Sequence, residues 1–275
     1  MKIVNQKLSK TLASETVTFT ATPNKGGEMV PDSIIIHFTA GRSAESSVAW
    51  FKDPEAKASA HIIIDREGKI TQMVEFNRKA WHAGVSRWAD RSGFNNFSIG
   101  IELDNPGRLT KVNDRFYSWF GKEYPKEVVV EAKHKHEKSI SFWHNFTEKQ
   151  IDSCFRICKL LMETYSIKDI LGHDDIAPFR KNDPGPAFPM ESFRAKLFGR
   201  QDDTADIYKI TENNTNLRTG AGTTFESIAK LPLNTEVEFV KSKSGWFYVY
   251  VLKMPAASGE PLYGWVSGSL LKKLK

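Results

Sequence analysis

A chain of 275 residues, 40% hydrophobic and 26% charged, can hold one large domain or two smaller ones and has the composition of an ordinary globular protein. Its net charge of +6 and pI ≈ 9.1 fit a polyanionic partner such as nucleic acid, an anionic membrane or bacterial cell wall, without choosing among them. No basic run is long or aromatic-interleaved enough to argue for nucleic acid, which is not expected as a partner, and no stretch has the length and apolarity of a membrane span, so none is expected.

Met1-Lys2-Ile3-Val4-Asn5-Gln6-Lys7 lacks the apolar core of a signal peptide. The expectation is a cytoplasmic protein, reaching the periplasm or an extracellular wall only by a signal-independent route. Residues 33–38 (Ser-Ile-Ile-Ile-His-Phe) form the short apolar run of a strand buried on both faces. Ala44 to Lys52 predicts a short helix ended by Pro54. Ala60–Asp65 and Lys69–Val74, separated by Arg66-Glu67-Gly68, predict a hairpin. Phe97 to Leu103 is a second buried strand, closed by Asp104-Asn105-Pro106-Gly107.

Residues 106–146 are rich in aromatic and charged side chains without a clean period, and are read as an insertion with short helices. Thr147-Glu148-Lys149-Gln150 has the form of a capping box. After it Ile151, Cys154, Phe155, Cys158, Leu161, Met162 and Tyr165 recur at helical spacing, predicting an amphipathic helix to about residue 166. On that helix the two cysteines of the chain read as small buried residues, because no further Cys exists to complete a metal site with them. Ile167 to Leu171 then returns as a strand leading to His173. Strands alternating with helices indicate an α/β or α+β sheet domain over residues 1–198. Residues 199–206 read as a polar linker, and the short runs between turn residues over 207–275 as a small all-β barrel.

The stretch from Leu171 to Gly185 supplies an imidazole (His173), an amine (Lys181) and a carboxylate (Asp183) on a loop restricted by Pro178, Pro184, Gly185 and Pro186. His37, at the end of a buried strand, is by itself either a hydrogen-bonded core residue or a ligand. With His173 and Asp183 it makes a three-ligand set that leaves a zinc ion one open position for water. Glu102 stands in an apolar strand, where a carboxylate is costly to bury without a partner. It is either paired structurally or placed to accept a proton from water. Lys181 is a surface lysine or, if it points to the same site, a cation for an oxyanion.

Five stretches in order across about residues 30 to 195 resemble the zinc-dependent N-acetylmuramoyl-L-alanine amidases, whose fold is shared with peptidoglycan recognition proteins and phage lysozyme-type amidases. They are Ile36-His37-Phe38-Thr39, Ser59-Ala60-His61-Ile62-Ile63-Ile64-Asp65, Ala80-Trp81-His82-Ala83-Gly84, Ser98-Ile99-Gly100-Ile101-Glu102-Leu103 and Gly172-His173 through Gly185. The resemblance implies a mixed central sheet flanked by helices, one Zn2+ per chain on His37, His173 and Asp183, Glu102 as general base and acid, and Lys181 on the tetrahedral intermediate. It implies as substrate the amide joining muramic acid to L-alanine in peptidoglycan or muropeptides, taken by a monomer. His61, Trp81 and His82 fall on recurrent positions and are expected to contact substrate: Trp81 by stacking on sugar or lining the groove, His82 by hydrogen bonding or by supporting the fold. Arg180 is expected to meet a peptide carboxylate. Phe179 stands where the family often has Gly, and the long 106–146 segment is expected to form a groove wall or lid. Within it His134-Lys135-His136 reads as a solvated stretch, with a metal pair as the alternative.

The last part resembles bacterial SH3-like domains through Asn216 to Gly222, Leu231 to Val237, Gly245 to Val249 and Tyr263 to Val266. That implies binding to wall peptides, with Trp246, Tyr248, Tyr250 and Trp265 on a binding face or in the core. Two rival readings are a non-catalytic peptidoglycan receptor, which typically loses a metal ligand, and an amidase confined to recycling anhydro-muropeptides.

Overall fold

The computed structural model describes residues 1–11, 16–88, 91–178, 180–198, 207–252, 254 and 262–274. The chain folds into two compact units, Met1–Gly199 and Arg200–Lys275. The expected linker at 199–206 lies outside the described residues, as does Phe179.

The first unit is built on a six-stranded mixed sheet in the order Asp169–Gly172, Ser33–Phe38, Ser98–Leu103, Ile62–Ile64, Ile70–Gln72, Val17–Phe19. The first four strands are parallel neighbours, and Ile62–Ile64 pairs antiparallel with Ile70–Gln72 as a hairpin. All six residues of Ser98–Leu103 are buried. Alternation sorts the side chains: Ile34, Ile36, Ile99, Ile101 and Leu103 enter the main core with Cys154, Ile157, Cys158 and Leu161 of the Glu148–Thr164 helix. That helix starts at the expected capping box, Thr147 with Gln150. The opposite face of the sheet turns Ile35 into a smaller cluster with Leu171 and Ile176, and Ile63 into another with Phe51 and Met73. His37 and Glu102 lie on this second face.

Residues 106–146 are not short helices. They form a five-stranded antiparallel sheet in the order Glu123–Tyr124, Arg115–Tyr117, Arg108–Val112, Ile140–His144, Val129–Lys133, with a single 3-10 turn at Lys126–Val128. The strands are two to five residues long and bury only isolated side chains such as Leu109, Phe116 and Trp143, so no run shows a period. Asn105 closes the base of the insertion, donating from its amide to the carbonyls of His144 and Asn145 at 3.1 and 2.8 Å.

The second unit is a seven-stranded antiparallel sheet running from Ile207–Ile210 to Leu271–Leu274 around Leu217, Leu231, Val237, Val249 and Val266. Trp246, Tyr248 and Trp265 are partly buried, with the Tyr248 and Trp265 rings 5.4 Å apart; the Tyr250 side chain lies outside the described residues.

Candidate active site

Three adjacent parallel strands deliver their carboxyl ends to one place, where open α/β sheets commonly bind ligands. Glu102 pairs with His37 across the sheet, and Gly172 pairs with Ile36, so the chain enters His173 beside His37. His173 opens a single helical turn, His173–Ile176, where the sequence predicts a loop. Gly172 has no room for a side chain, since a Cβ there would overlap the Asp174 carboxylate and Pro184. The main chain then returns so that the Asp174 N–H donates to the Asp183 carbonyl at 2.8 Å.

This path brings the expected ligands together. His37 Nδ1 lies 3.0 Å from His173 Nδ1 and 2.8 Å from Asp183 Oδ2, and His173 Nδ1 lies 3.0 Å from the same oxygen. All three residues are buried. The outer nitrogens fix the tautomers. His173 Nε2–H donates to the Ala83 carbonyl at 3.1 Å, which leaves Nδ1 with a lone pair for the cluster. His37 Nε2 lies 2.9 Å from His82 Nδ1, and His82 Nε2 faces the Ser98 carbonyl at 3.4 Å. Protons running outward along this chain leave His37 Nδ1 bare as well. Two imidazole lone pairs and a carboxylate converging inside 4.8 Å form an N₂O donor set suited to zinc.

The electrostatics agree. Burial and the His173 imidazole pull His37 down to about 4, so it is neutral at pH 7. Burial and the surrounding imidazoles hold His82 well below its ordinary value. Burial alone would raise Asp183, but its bonds to His173 and His37 outweigh that and keep it ionised. Glu102 is pushed up to about 8, first by burial and then by the Asp183 charge, with Lys181 pulling the other way. Its Oε2 is buried and has no hydrogen-bond partner among the described residues, so none of them pairs Glu102 structurally there.

These groups wall a cavity of ≈ 610 Å³. Lys181 and Arg180 lie on its rim, both exposed. Arg180 Nη2 donates to the carbonyls of Ala83 and Val85 at 3.0 and 2.6 Å, so the guanidinium pins the 83–85 turn as well as bordering the cavity. Trp81 borders the cavity with 38% of its surface exposed. His82 does so too while holding His37, so its contact with the fold is the clearer of the two expected roles.

His61 is placed elsewhere. It is fully buried, donates from Nε2 to the Arg78 carbonyl at 2.9 Å and accepts at Nδ1 from the Gly100 N–H at 3.1 Å. Both ring nitrogens serve the backbone, and the residue does not line the cavity, contrary to the expected substrate contact. The His134-Lys135-His136 stretch is not a uniformly solvated one either, since only Lys135 is exposed. His134 is buried against Asp174, and His134, His136 and Glu137 line the cavity, so the insertion walls the site.

Sequence reasoning missed two other features. Trp50, on the Ala44–Lys52 helix, borders the cavity and is 55% exposed, a signal present in an amphipathic helix with an aromatic on its polar side. Gly100 matters through what it lacks, since a Cβ there would overlap the His82 ring. Only the conformation of residue 82 reveals that requirement.

The chain matches a family described as N-acetylmuramoyl-L-alanine amidase over residues 27–186, more than half its length, and one described as bacterial SH3 domain over 213–272. It is 34% identical over 140 residues to the 1,6-anhydro-N-acetylmuramyl-L-alanine amidase AmpD of Escherichia coli K12, covering 50% of this chain and 57% of that protein. To the N-acetylmuramoyl-L-alanine amidase AmiD of the same organism it is 29% identical over 183 residues, covering 63% and 56%. A crystal structure of a selenomethionine AmpD derivative aligns at 26% identity and a TM-score of 0.49, covering 71% of this chain and 98% of that one. The chain thus spans a little over half the length of the curated relatives it matches. By the extent of the family match, it belongs to the N-acetylmuramoyl-L-alanine amidase family.

Proposed function

We propose that this chain is a zinc-dependent amidase that hydrolyses the bond between N-acetylmuramic acid and the L-alanine of a peptidoglycan stem peptide. The observation that carries the reading is the convergence of His37, His173 and Asp183 beside a buried, unpartnered Glu102 in one cavity. His37 Nδ1, His173 Nδ1 and Asp183 Oδ2 would hold the ion, one per chain. When bound, zinc acts as a Lewis acid toward an amide oxygen and makes a nearby water more acidic.

The chain's own residues carry the proton and the charge. A cation held by the three donors would favour the ionised form of Glu102, which then accepts a proton from the attacking water as the C–O bond forms, and returns it to the alanine nitrogen as the C–N bond breaks. Lys181 places its ammonium at the cavity rim, where it offsets the negative charge that develops on the carbonyl oxygen. His82 keeps the His37 tautomer, and Trp81 offers an apolar face to the sugar or its lactyl group. Arg180 and the peptide carboxylate are the remaining pair. The 207–275 unit, read as an SH3-like domain following a 199–206 linker, would hold wall peptides while the 1–198 domain cuts, and the protein works as a monomer.

A receptor reading is disfavoured because every expected ligand is present and converges. The substrate form divides two readings. The AmpD relatives are named for 1,6-anhydro-muramyl substrates, whereas the SH3-domain match favours polymeric wall. Mass spectrometry of products from intact sacculi and from soluble anhydro-muropeptides, with and without a chelator, decides both points. Stem peptides released and lost on chelation support the amidase. No product from either substrate would sink it in favour of the receptor.

A further inference from the structure

The turn between Val129–Lys133 and Ile140–His144 reaches the chain beside His173, and His134, Lys135 and His136 all bond to it there. His134 Nε2–H donates to Asp174 Oδ2 at 3.0 Å, in a tautomer fixed by the His136 N–H, which donates to His134 Nδ1 at 3.3 Å. Lys135 Nζ donates to Asp174 Oδ1 and Asp175 Oδ1, both at 2.7 Å. His136 Nε2–H donates to the Asp174 carbonyl at 2.8 Å. The His134 ring also stacks on buried Trp143, 5.7 Å away, whose six-membered ring backs Gly185.

Asp174 is 4% exposed, so its carboxylate must be paired where it lies. Both side-chain partners found for it, His134 and Lys135, come from the insertion. Its own N–H meanwhile ties it to the Asp183 carbonyl, and it directly follows His173. Asp174 therefore couples the insertion to two of the three donor residues at once. Asp175 is locked in parallel: it pairs with Lys135 and with Arg194 at 2.7 and 2.6 Å, and accepts from the Gly172 N–H at 2.7 Å.

We propose that the 134–137 turn is a brace for the metal site, with Lys135 and His134 as positioning residues that hold His173 and Asp183 in register through Asp174. The inference rests on the zinc reading above. It assigns the insertion a second job besides walling the cavity. Without the brace, a buried carboxylate beside a ligand would have to find water, and the His173–Asp183 spacing would loosen.

The test uses the full chain and zinc alone, with affinity read by competition against a chromophoric chelator. Lys135→Met should weaken zinc binding about 10–100-fold, the range typical for loss of a group that orients ligands, while far-UV circular dichroism stays unchanged. Lys135→Arg, which keeps the charge, should recover most of that loss. Asp174→Asn removes the charge that needs bracing, so adding Lys135→Met to it should cost almost nothing more. Hydrogen exchange of the Asp174 amide in the zinc-free chain should quicken in Lys135→Met. Wild-type zinc affinity in Lys135→Met, or additive losses in the double variant, would overturn the brace. If wild type and His173→Ala bind zinc equally poorly, the zinc reading fails, and the exchange measurement alone then decides whether the turn is braced.

Discussion

The sheet that carries the ligands and the sheet inserted beside it are built in opposite ways. Ser33–Phe38 and Ser98–Leu103 are parallel strands whose side chains are buried almost without exception. The insertion strands are antiparallel, short, and bury at most two residues each, with Ile140 and Val112 largely exposed. A catalytic residue on the first kind of strand inherits the rigidity of a close-packed core. A wall on the second kind can change in sequence without disturbing that core. The candidate ligands stand at the strand ends of the one, part of the cavity wall on the other, and the two meet at Asp174.

The sharpest way to break this division is through the ligands. His173→Ala should abolish zinc retention and turnover together, measured by metal analysis and product release. A variant with near-normal activity would show that the convergence at the strand ends is not the active centre. Next in size, Glu102→Gln should keep its zinc yet lose about 10²–10⁴-fold in kcat, as expected for a lost proton-transfer group. Unchanged turnover would refute the role as base.

Stability gives a direct contrast between the sheets. Ile36→Ala, in the fully buried core, should cost about 2–5 kcal/mol in urea unfolding of the metal-free chain. Ile140→Ala, at 62% exposure on the insertion, should stay within about 0.5 kcal/mol of wild type. Equal losses would mean that the insertion is as much a core as the central sheet.

Between these in magnitude lies a pH effect of the core sheet. Burial brings His61 down to about 4 from the usual 6.5. Between those values the unfolded chain binds a proton that the folded chain refuses, so stability falls as pH drops from 6.5 to 4, by about 3 kcal/mol from this residue. His61→Gln, which keeps an acceptor for the Gly100 N–H, should show a correspondingly smaller acid loss in unfolding curves at pH 7 and pH 4. An unchanged acid profile would place the titration elsewhere.

Much of this molecule is legible in its sequence because the core strands announce themselves. The Ser-Ile-Ile-Ile-His-Phe run, the capped helix after Thr147 and the segment leading to His173 each carry a strong local signal, and the candidate ligands His37 and His173 stand at the ends of the first and the last. The insertion was opaque for a physical reason. Two- to five-residue strands that bury a single face against few neighbours leave no periodicity to read, so residues 106–146 pass for irregular helices. The same gap hid the meaning of His134-Lys135-His136. Their neighbours in sequence are charged, but their neighbours in space are a buried aspartate and an indole. His61 misled in the opposite direction, since a histidine in a recurrent motif reads as functional whether it meets substrate or backbone.

Gly100 shows what such a site asks of its scaffold. A glycine inside a strand gives up roughly 0.5–1 kcal/mol against alanine, and this one stands in the middle of the most deeply buried strand of the sheet. The space it leaves is filled by the His82 ring, which faces His37 Nε2. The protonation pattern of a candidate metal ligand is thus set, two contacts away, by a missing methyl group. Any lineage that filled this hole for stability would jam an imidazole relay, so the soft spot in the sheet is a fixed cost of keeping a histidine turned the right way.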